Sequence, residues 1–366
     1  SENLLISTKM KILIDIGHPA HVHYFRNYIH LMEDRGHEFL IIAKNRSVTH
    51  YLLDKFEIKY VKRPDYPASI FLKLLKIPLT DYFVIRNCQR FKPDILLGFS
   101  GTHIAHAGWL LKIPSIVIDD TDHAKLAHAS YSPFASVIIT PVYFRKDFGV
   151  KHIRFKGSTE LLYLHSNYYK PNEEIYNFLG IEMGAPYILV RFVKWKSSHD
   201  IGQKGLDLNE KIKAVKKLSE THKVFISSES DLPEEISEYQ IKIPPERMHD
   251  VLYFADLFWG ESGTMATEAA FLGTPAIDIA TSALLVGVFE PFIDSGLLQV
   301  IPDGGLALQK ALELLKNSPN KQRNIMLNHF NNFDLTMFLV WFTENYPESF
   351  SYCKKNKQQV ITEFNL

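Results

Sequence analysis

Residues 255–278 read ADLFWGESGTMATEAAFLGTPAID, and three kinds of local structure follow one another in them. LFWG is a short apolar run of strand character, ESGT a tight turn, and MATEAAFL a helix that stops at Gly273. Ser262, Gly263 and Thr264 carry little bulk, so backbone N–H groups can approach an anion there. The first turn of a helix has unpaired donors and a positive dipole end, which favours a diphosphate. Glu268 lies one turn after Thr264 on the same face. A carboxylate there would repel phosphate, but it can accept hydrogen bonds from both hydroxyls of a ribose. The other reading of these residues is a plain strand–helix turn capped by Ser262, with an incidental glutamate.

The pattern around this stretch is the same in both directions. YILVRF, KVFISS, PAIDI and LLQVI read as further strands, with helical patterns at 207–221, 246–255, 304–316 and 321–330. The first half repeats the alternation: KILIDI, FLIIAK, DILLGF, SIVID and SVIIT are strands, separated by amphipathic segments. Continuous apolar runs flanked by helices indicate parallel sheets covered on both faces. The expected fold is therefore α/β, with two doubly wound Rossmann-like domains facing a central cleft. The expected domains are 1–160 and 161–366, with the linker somewhere in 156–172. The apolar segment 334–346 (DLTMFLVWFTENY) is read as a helix of the second domain, a helix crossing back to the first, or a membrane-surface helix.

Composition bounds the function. At 366 residues and 46% hydrophobic, the chain can build two cores. Lys+Arg and Asp+Glu are both 41, so no global field draws it onto nucleic acid or an anionic membrane, and no nucleic-acid partner is expected. The two cysteines, Cys88 and Cys353, fit neither a metal spacing nor a disulfide framework, which suits a reducing cytoplasm. No apolar run approaches the roughly 20 residues that span a bilayer, and SENLLISTK does not read as a secretion signal.

In open α/β sheets ligands bind beyond the carboxyl ends of the strands, so motifs there carry the functional reading. After the first strand, GHPAHVHYF places His18 and His21 in the turn and His23 just inside the helix. A histidine at the start of a helix is held neutral by the dipole, as a general base requires. His21 is the candidate base and His18 a substrate contact; His23 and Phe25 read as packing. Three imidazoles could also hold a metal, but no adjacent Asp or Glu completes a site, and none is expected. GFSGTHIAHAG puts Ser100 and His103 at a strand end, and IDDTDHA puts Asp120 and His123 at the next, where they could position acceptor hydroxyls or simply cap helices. Glu160 could reach the cleft or cap a helix after Ser158.

SGTMATEAAFLGTPAI resembles the nucleotide-binding segment of GT-B-type nucleotide-sugar enzymes, including UDP-N-acetylglucosamine 2-epimerases and the transferase that makes peptidoglycan lipid II. With DIGHPAHVHYFRN, GTHIAHAGWLLKIPSIVIDDTDHA and RFVKWKSSHDIG, the chain from about 10 to 330 more closely resembles the DUF354 domain family, which is grouped with those enzymes. The resemblance implies a GT-B architecture and a nucleoside diphosphate bound by Ser262, Gly263, Thr264 and Glu268. It places Arg191 like the phosphate-facing basic residue of the epimerases, with His199 in the following loop as a further phosphate donor. Counted back from Gly36, His21 falls where the lipid II-forming transferase ends its glycine-rich loop in a histidine. The epimerases' acidic set is incomplete here: their Gly-Asp is Ser100–Gly101, and a later glutamate pair has no counterpart in HASYSPFA.

The expected activity is a glycosyltransferase of surface polysaccharide or glycolipid assembly, inverting and metal-independent, using a UDP-sugar donor and a glycan or glycolipid acceptor and no cofactor. A nucleotide-sugar 2-epimerase is the alternative. Cytoplasmic placement, with peripheral membrane contact at its inner face, goes with that reading.

Overall fold

The computed structural model describes residues 9–65, 70–192, 206–228, 231–280, 286–316, 322–355 and 360–361, with backbone alone at 70–75 and 360–361. The chain forms two compact units: residues 1–168 with 333–366, and residues 169–332. The second unit thus starts at 169 rather than 161, and the C-terminal segment belongs to the first unit.

Unit 1 is one parallel sheet of β1 (Lys11–Ile16), β2 (Glu38–Ala43), β3 (Tyr60–Lys62), β4 (Ile95–Phe99), β5 (Ser115–Ile118), β6 (Val137–Pro141), β7 (His152–Phe155) and, from the C-terminus, β13 (Val360–Ile361). Its order is β13-β7-β6-β5-β4-β1-β2-β3. The five strands expected from uninterrupted apolar runs are all present. Leu13, Leu96, Val117 and Ile138 are wholly buried in the core. Unit 2 has β8 (Tyr187–Arg191), β9 (Lys223–Ser227), β10 (Leu257–Gly260), β11 (Ala276–Asp278) and β12 (Leu298–Val300), also parallel, in the order β12-β11-β10-β8-β9. Both sheets are doubly wound, and the order reverses between β1 and β4 in one and between β8 and β10 in the other. Reversal points are where the two adjoining loops splay apart and leave a crevice at the carboxyl edge.

The helix Leu335–Glu344 packs on the helix Pro19–Asp34 and on the short turn Thr159–Leu162 of unit 1. Phe338, Leu339, Val340 and Phe342 are fully buried, so the apolar face that suggested a membrane surface is spent on the core. Polar anchors fix it: Thr336 Oγ1 donates to the Leu162 carbonyl at 3.0 Å, and Glu344 accepts from Arg35 at 2.8 Å and pairs with His37 Nε2 at 3.1 Å. Among the described residues no helix is long and apolar enough to cross a membrane.

Candidate functional site

In unit 2 the reversal point brings together the two segments that the sequence singled out. β10 ends at Gly260, in register with Arg191 at the end of β8. A side chain at Gly260 would collide with the Arg191 carbonyl, so only glycine lets the strand ends close up here. The Arg191 carbonyl then accepts from Glu261 N–H at 2.9 Å. The chain turns directly into the helix Gly263–Phe271, with Ser262 as N-cap accepting from Met265 N–H at 3.4 Å. The N–H groups of Gly263 and Thr264 have no intrahelical acceptor, because the helix starts with them. Thr264 is exposed, while Ser262 and Gly263 are half-buried. Arg191 is half-buried beside this turn, its Nη1 donating to Ser227 Oγ at 3.1 Å. Among the described residues, a cation and uncommitted backbone donors thus share one edge, the combination a diphosphate needs.

Glu268 lies one turn further along the helix, with only 7% of its surface exposed. One of its oxygens faces His249 Nε2 at 3.2 Å, so a ribose would share this carboxylate with a histidine that the sequence reading missed. Lys211 and Glu261 make a 2.9 Å ion pair at the same turn. Asp278, at the end of β11 and in register with Gly260, is fully buried. Its Oδ1 accepts from Ala280 N–H at 2.9 Å, and among the described residues its Oδ2 has no hydrogen-bond partner. Oδ2 lies 3.3 Å from where a Gly263 Cβ would stand. Burial pushes the Asp278 carboxyl up to about 6, with neighbouring Glu261 adding to the rise. His199 lies outside the described residues.

In unit 1 the reversal point holds the loops after β1 and β4. His18 is the N-cap of the helix Pro19–Asp34, its Nδ1 accepting from Ala20 N–H at 3.2 Å. His21 Nδ1 accepts a long bond from Gly17 N–H at 3.3 Å, and its ring rests against Phe99 and Tyr24. Burial, followed by the charges of His18, Arg63 and Arg46, lowers its pKa to about 3. Burial thus favours the neutral ring, where the sequence points to the helix dipole. Because Nδ1 is an acceptor, however, the proton of that neutral ring is on Nε2. His21 presents a hydrogen-bond donor there, not the lone pair that a general base needs. His23 is buried between Phe56 and Tyr163, a packing residue.

The turn after β4 forces Ser100 to φ +48°, which sets its hydroxyl near enough to Asp119 to favour the charged carboxylate. His103 does not join this group. Its Nδ1 lies 2.7 Å from Asp81 Oδ1, while His106 Nδ1 takes Asp81 Oδ2 at the same distance. One carboxylate on the helix Ile70–Phe91 thus pins two successive turns of the helix Thr102–Leu111. After β5 the two aspartates divide the work. Asp119 is fully buried, accepts from Tyr131 Oη at 2.6 Å and Thr121 N–H at 2.9 Å, and holds the loop. Asp120 is half-buried at the edge and accepts from Thr159 Oγ1 at 2.5 Å and Thr121 Oγ1 at 3.1 Å. Burial, with help from Asp119 and Asp122, raises its carboxyl to about 6. His123 is exposed in the turn that follows. Glu160 is buried in the turn Thr159–Leu162. Among the described residues no group of three or more His, Cys, Asp or Glu is arranged to hold a metal ion.

Residues 10–342 match the model of a family described as "Protein of unknown function (DUF354)". The chain belongs to the DUF354 family. A relative from Methanocaldococcus jannaschii, an uncharacterised protein, is 27% identical over 286 residues, 75% of this chain and 83% of its own length. Among solved structures, this DUF354 protein is similar to the UDP-GlcNAc 2-epimerase from Neisseria meningitidis bound to UDP-GlcNAc, with a TM-score of 0.68 at 15% identity over 91% of this chain and 99% of that one. It is also similar to the spinosyn rhamnosyltransferase SpnG complexed with thymidine diphosphate, with a TM-score of 0.63 at 13% identity over 92% and 100%. The S. aureus MnaA structure with UDP gives 0.66 at 14% identity over 93% and 97%. The two-domain Rossmann-like fold is therefore that of the GT-B nucleotide-sugar enzymes.

Proposed function

We propose that this DUF354 protein is a glycosyltransferase that moves a sugar from a nucleoside diphosphate, of the UDP class, to a hydroxyl of a glycan or glycolipid, with inversion. The observation that carries the reading is the edge of unit 2. Arg191 and the uncommitted N–H groups of Gly263 and Thr264 flank one reversal point, with the Glu268 carboxylate one turn away. Two proteins of the same fold were solved with UDP-GlcNAc and with thymidine diphosphate, which supports a nucleotide at this fold.

In this reading the diphosphate lies on the helix terminus and Glu268 takes the ribose hydroxyls. The acceptor oxygen loses its proton to Asp120, forms the bond to the anomeric carbon, and the diphosphate leaves with the bonding electrons. Arg191 and the helix donors stabilise the charge that gathers on it. Asp120 is assigned the proton because its carboxyl, raised to about 6, is ionised at neutral pH yet more basic than an ordinary aspartate. His21, a donor at Nε2, orients the acceptor; His18, Ser100 and His123 stand at the same sheet edge.

The alternative, 2-epimerisation, is favoured by one observation: a lone carboxylate of raised pKa could also move a sugar C2 proton. Incubation with UDP-GlcNAc alone in deuterated water separates the two. Deuterium at C2 without added acceptor means epimerisation. UDP release that requires an acceptor means transfer.

A further inference from the structure

The β1–β3 end of the carboxyl edge of unit 1 carries a charge pattern that the proposed chemistry does not use. Ile16 pairs with Ala43 and Ala43 with Lys62, so Gly17, Lys44 and Arg63, each one residue further on, line up across the carboxyl ends of β1, β2 and β3. Two backbone bonds keep that register beyond the strands: Lys44 N–H to the Ile16 carbonyl and Arg63 N–H to the Ala43 carbonyl, both at 2.8 Å. Arg63 is buried and held by Asp15 Oδ2 at 3.2 Å. Its Nη2 lies 4.0 Å from where a Gly17 Cβ would be, so the guanidinium reaches back to the end of β1.

Arg46 stands next to Lys44 as the N-cap of the helix Ser47–Lys55, whose first turn has no side-chain cap. Lys76, on the helix Ile70–Phe91, is near enough to act on Lys44. Burial, then Arg46, Arg63 and Lys76 in turn, hold the Lys44 ammonium below its usual range. Two carboxylates temper the group: Asp15, taken by Arg63, and Asp65, hydrogen-bonded by Asn45. Among the described residues neither Lys44 nor Arg46 has an ion-pair partner. Four cations against two carboxylates, two of the cations unpaired beside open helix donors, is a costly arrangement that a bound anion relieves.

We propose that Lys44, Arg46 and Arg63 form a phosphate-ester site at the carboxyl edge of β1–β3, distinct from the diphosphate site of unit 2. That the acceptor carries this phosphate rests on the transferase reading; the site itself does not. A dianionic phosphate monoester fits better than a carboxylate, because three cationic groups converge and its three terminal oxygens can meet them.

The test is calorimetry on the full chain at low salt, with saturating UDP so that unit 2 is filled. Glycerol 3-phosphate is the soluble probe. Phosphatidylcholine vesicles containing phosphatidic acid present the same group on a lipid. Binding of either is expected, and which one binds tells whether the phosphate is soluble or lipid-borne. Lys44→Gln/Arg46→Gln should weaken it at least tenfold without lowering the thermal midpoint, and should leave UDP binding unchanged. The charge-keeping pair Lys44→Arg/Arg46→Lys should stay within about threefold of wild type, because the charge persists. Failure of both probes, or a neutral double variant that binds like wild type, overturns the site. If the phosphate binds and UDP does not, the nucleotide reading fails while this one stands.

Discussion

In the proposed reading, the two sheet edges of this protein attract anions by different means. In unit 2 the positive end is mostly backbone, the N–H groups of Gly263 and Thr264, with one guanidinium from Arg191 beside them. In unit 1 it is side chains: Lys44, Arg46 and Arg63 act on one another, and the proposed acid–base work falls to Asp120. Backbone donors are fixed by the fold, cannot be titrated and are hard to remove by substitution. Side-chain charges can be deleted one at a time and repel one another when empty. One doubly wound topology therefore gives a robust cradle in one unit and a tunable, pH-sensitive edge in the other.

The largest effect should come from the tunable edge. Asp120→Asn should lower kcat by about 10²–10⁴, the range for loss of a positioned general base. In wild type the Asp120 carboxyl must be ionised, so kcat/KM should rise through pH about 6 and level off above it. That limb should vanish in the variant. A retained limb would move the base elsewhere and erase the division of labour between the units.

Next comes the guanidinium of the other edge. Arg191→Gln should cost about 10²–10³ in kcat, comparable to deleting one preorganised stabiliser of developing charge. UDP affinity should fall less, because the backbone donors remain. Equal losses in both would mean that the guanidinium, not the helix terminus, carries the diphosphate. A smaller change is expected at the ribose end: Glu268→Gln should weaken UDP by about 1–3 kcal/mol in calorimetry, from lost charged hydrogen bonds. Unchanged affinity would remove Glu268 from the site.

Asp278 gives the smallest effect and tests stability. Its carboxyl titrates near 3.8 when the chain is unfolded and at about 6 when folded, so between those values the folded state holds more protons. Stability contributed by the neutral carboxyl is thus lost as pH rises from about 4 to about 6. Asp278→Asn should raise stability at pH 7 by about 1–2 kcal/mol and change little below pH 4, read from urea unfolding at both pH values. Destabilisation at pH 7 would mean that the charge is stabilised by something in the unit 2 edge.

How much of this was legible depended on how local each signal is. The strands KILIDI, DILLGF and SVIIT are uninterrupted apolar runs, and the turn at Ser262–Gly263 is contained in five residues; both read directly from the chain. The helix Ile70–Phe91 did not, because Pro78 inside it breaks the local signal. With that helix unseen, Asp81 was unseen too, and His103 was placed at a substrate edge when it belongs to a helix–helix clamp. β3 and β7, three and four residues long at the sheet's flank, are too short to show a period. Lys44 and Arg63 become neighbours only through strand register. Glu344 meets His37 only because the C-terminal segment returns to unit 1. For His21 the sequence predicts a neutral ring from a helix start, but the burial that lowers its pKa, and the tautomer, which depends on the Gly17 N–H, arise only in the fold.

The central claim is that a nucleoside diphosphate sits on the backbone donors at the start of the helix Gly263–Phe271. Hydrogen exchange of the full chain with and without UDP tests it most directly. The account predicts that protection rises at the amides of Gly263 and Thr264, with no comparable change around Lys44 and Arg46. Protection confined to the unit 1 edge, or absent from residues 262–265 when UDP is bound, would contradict it.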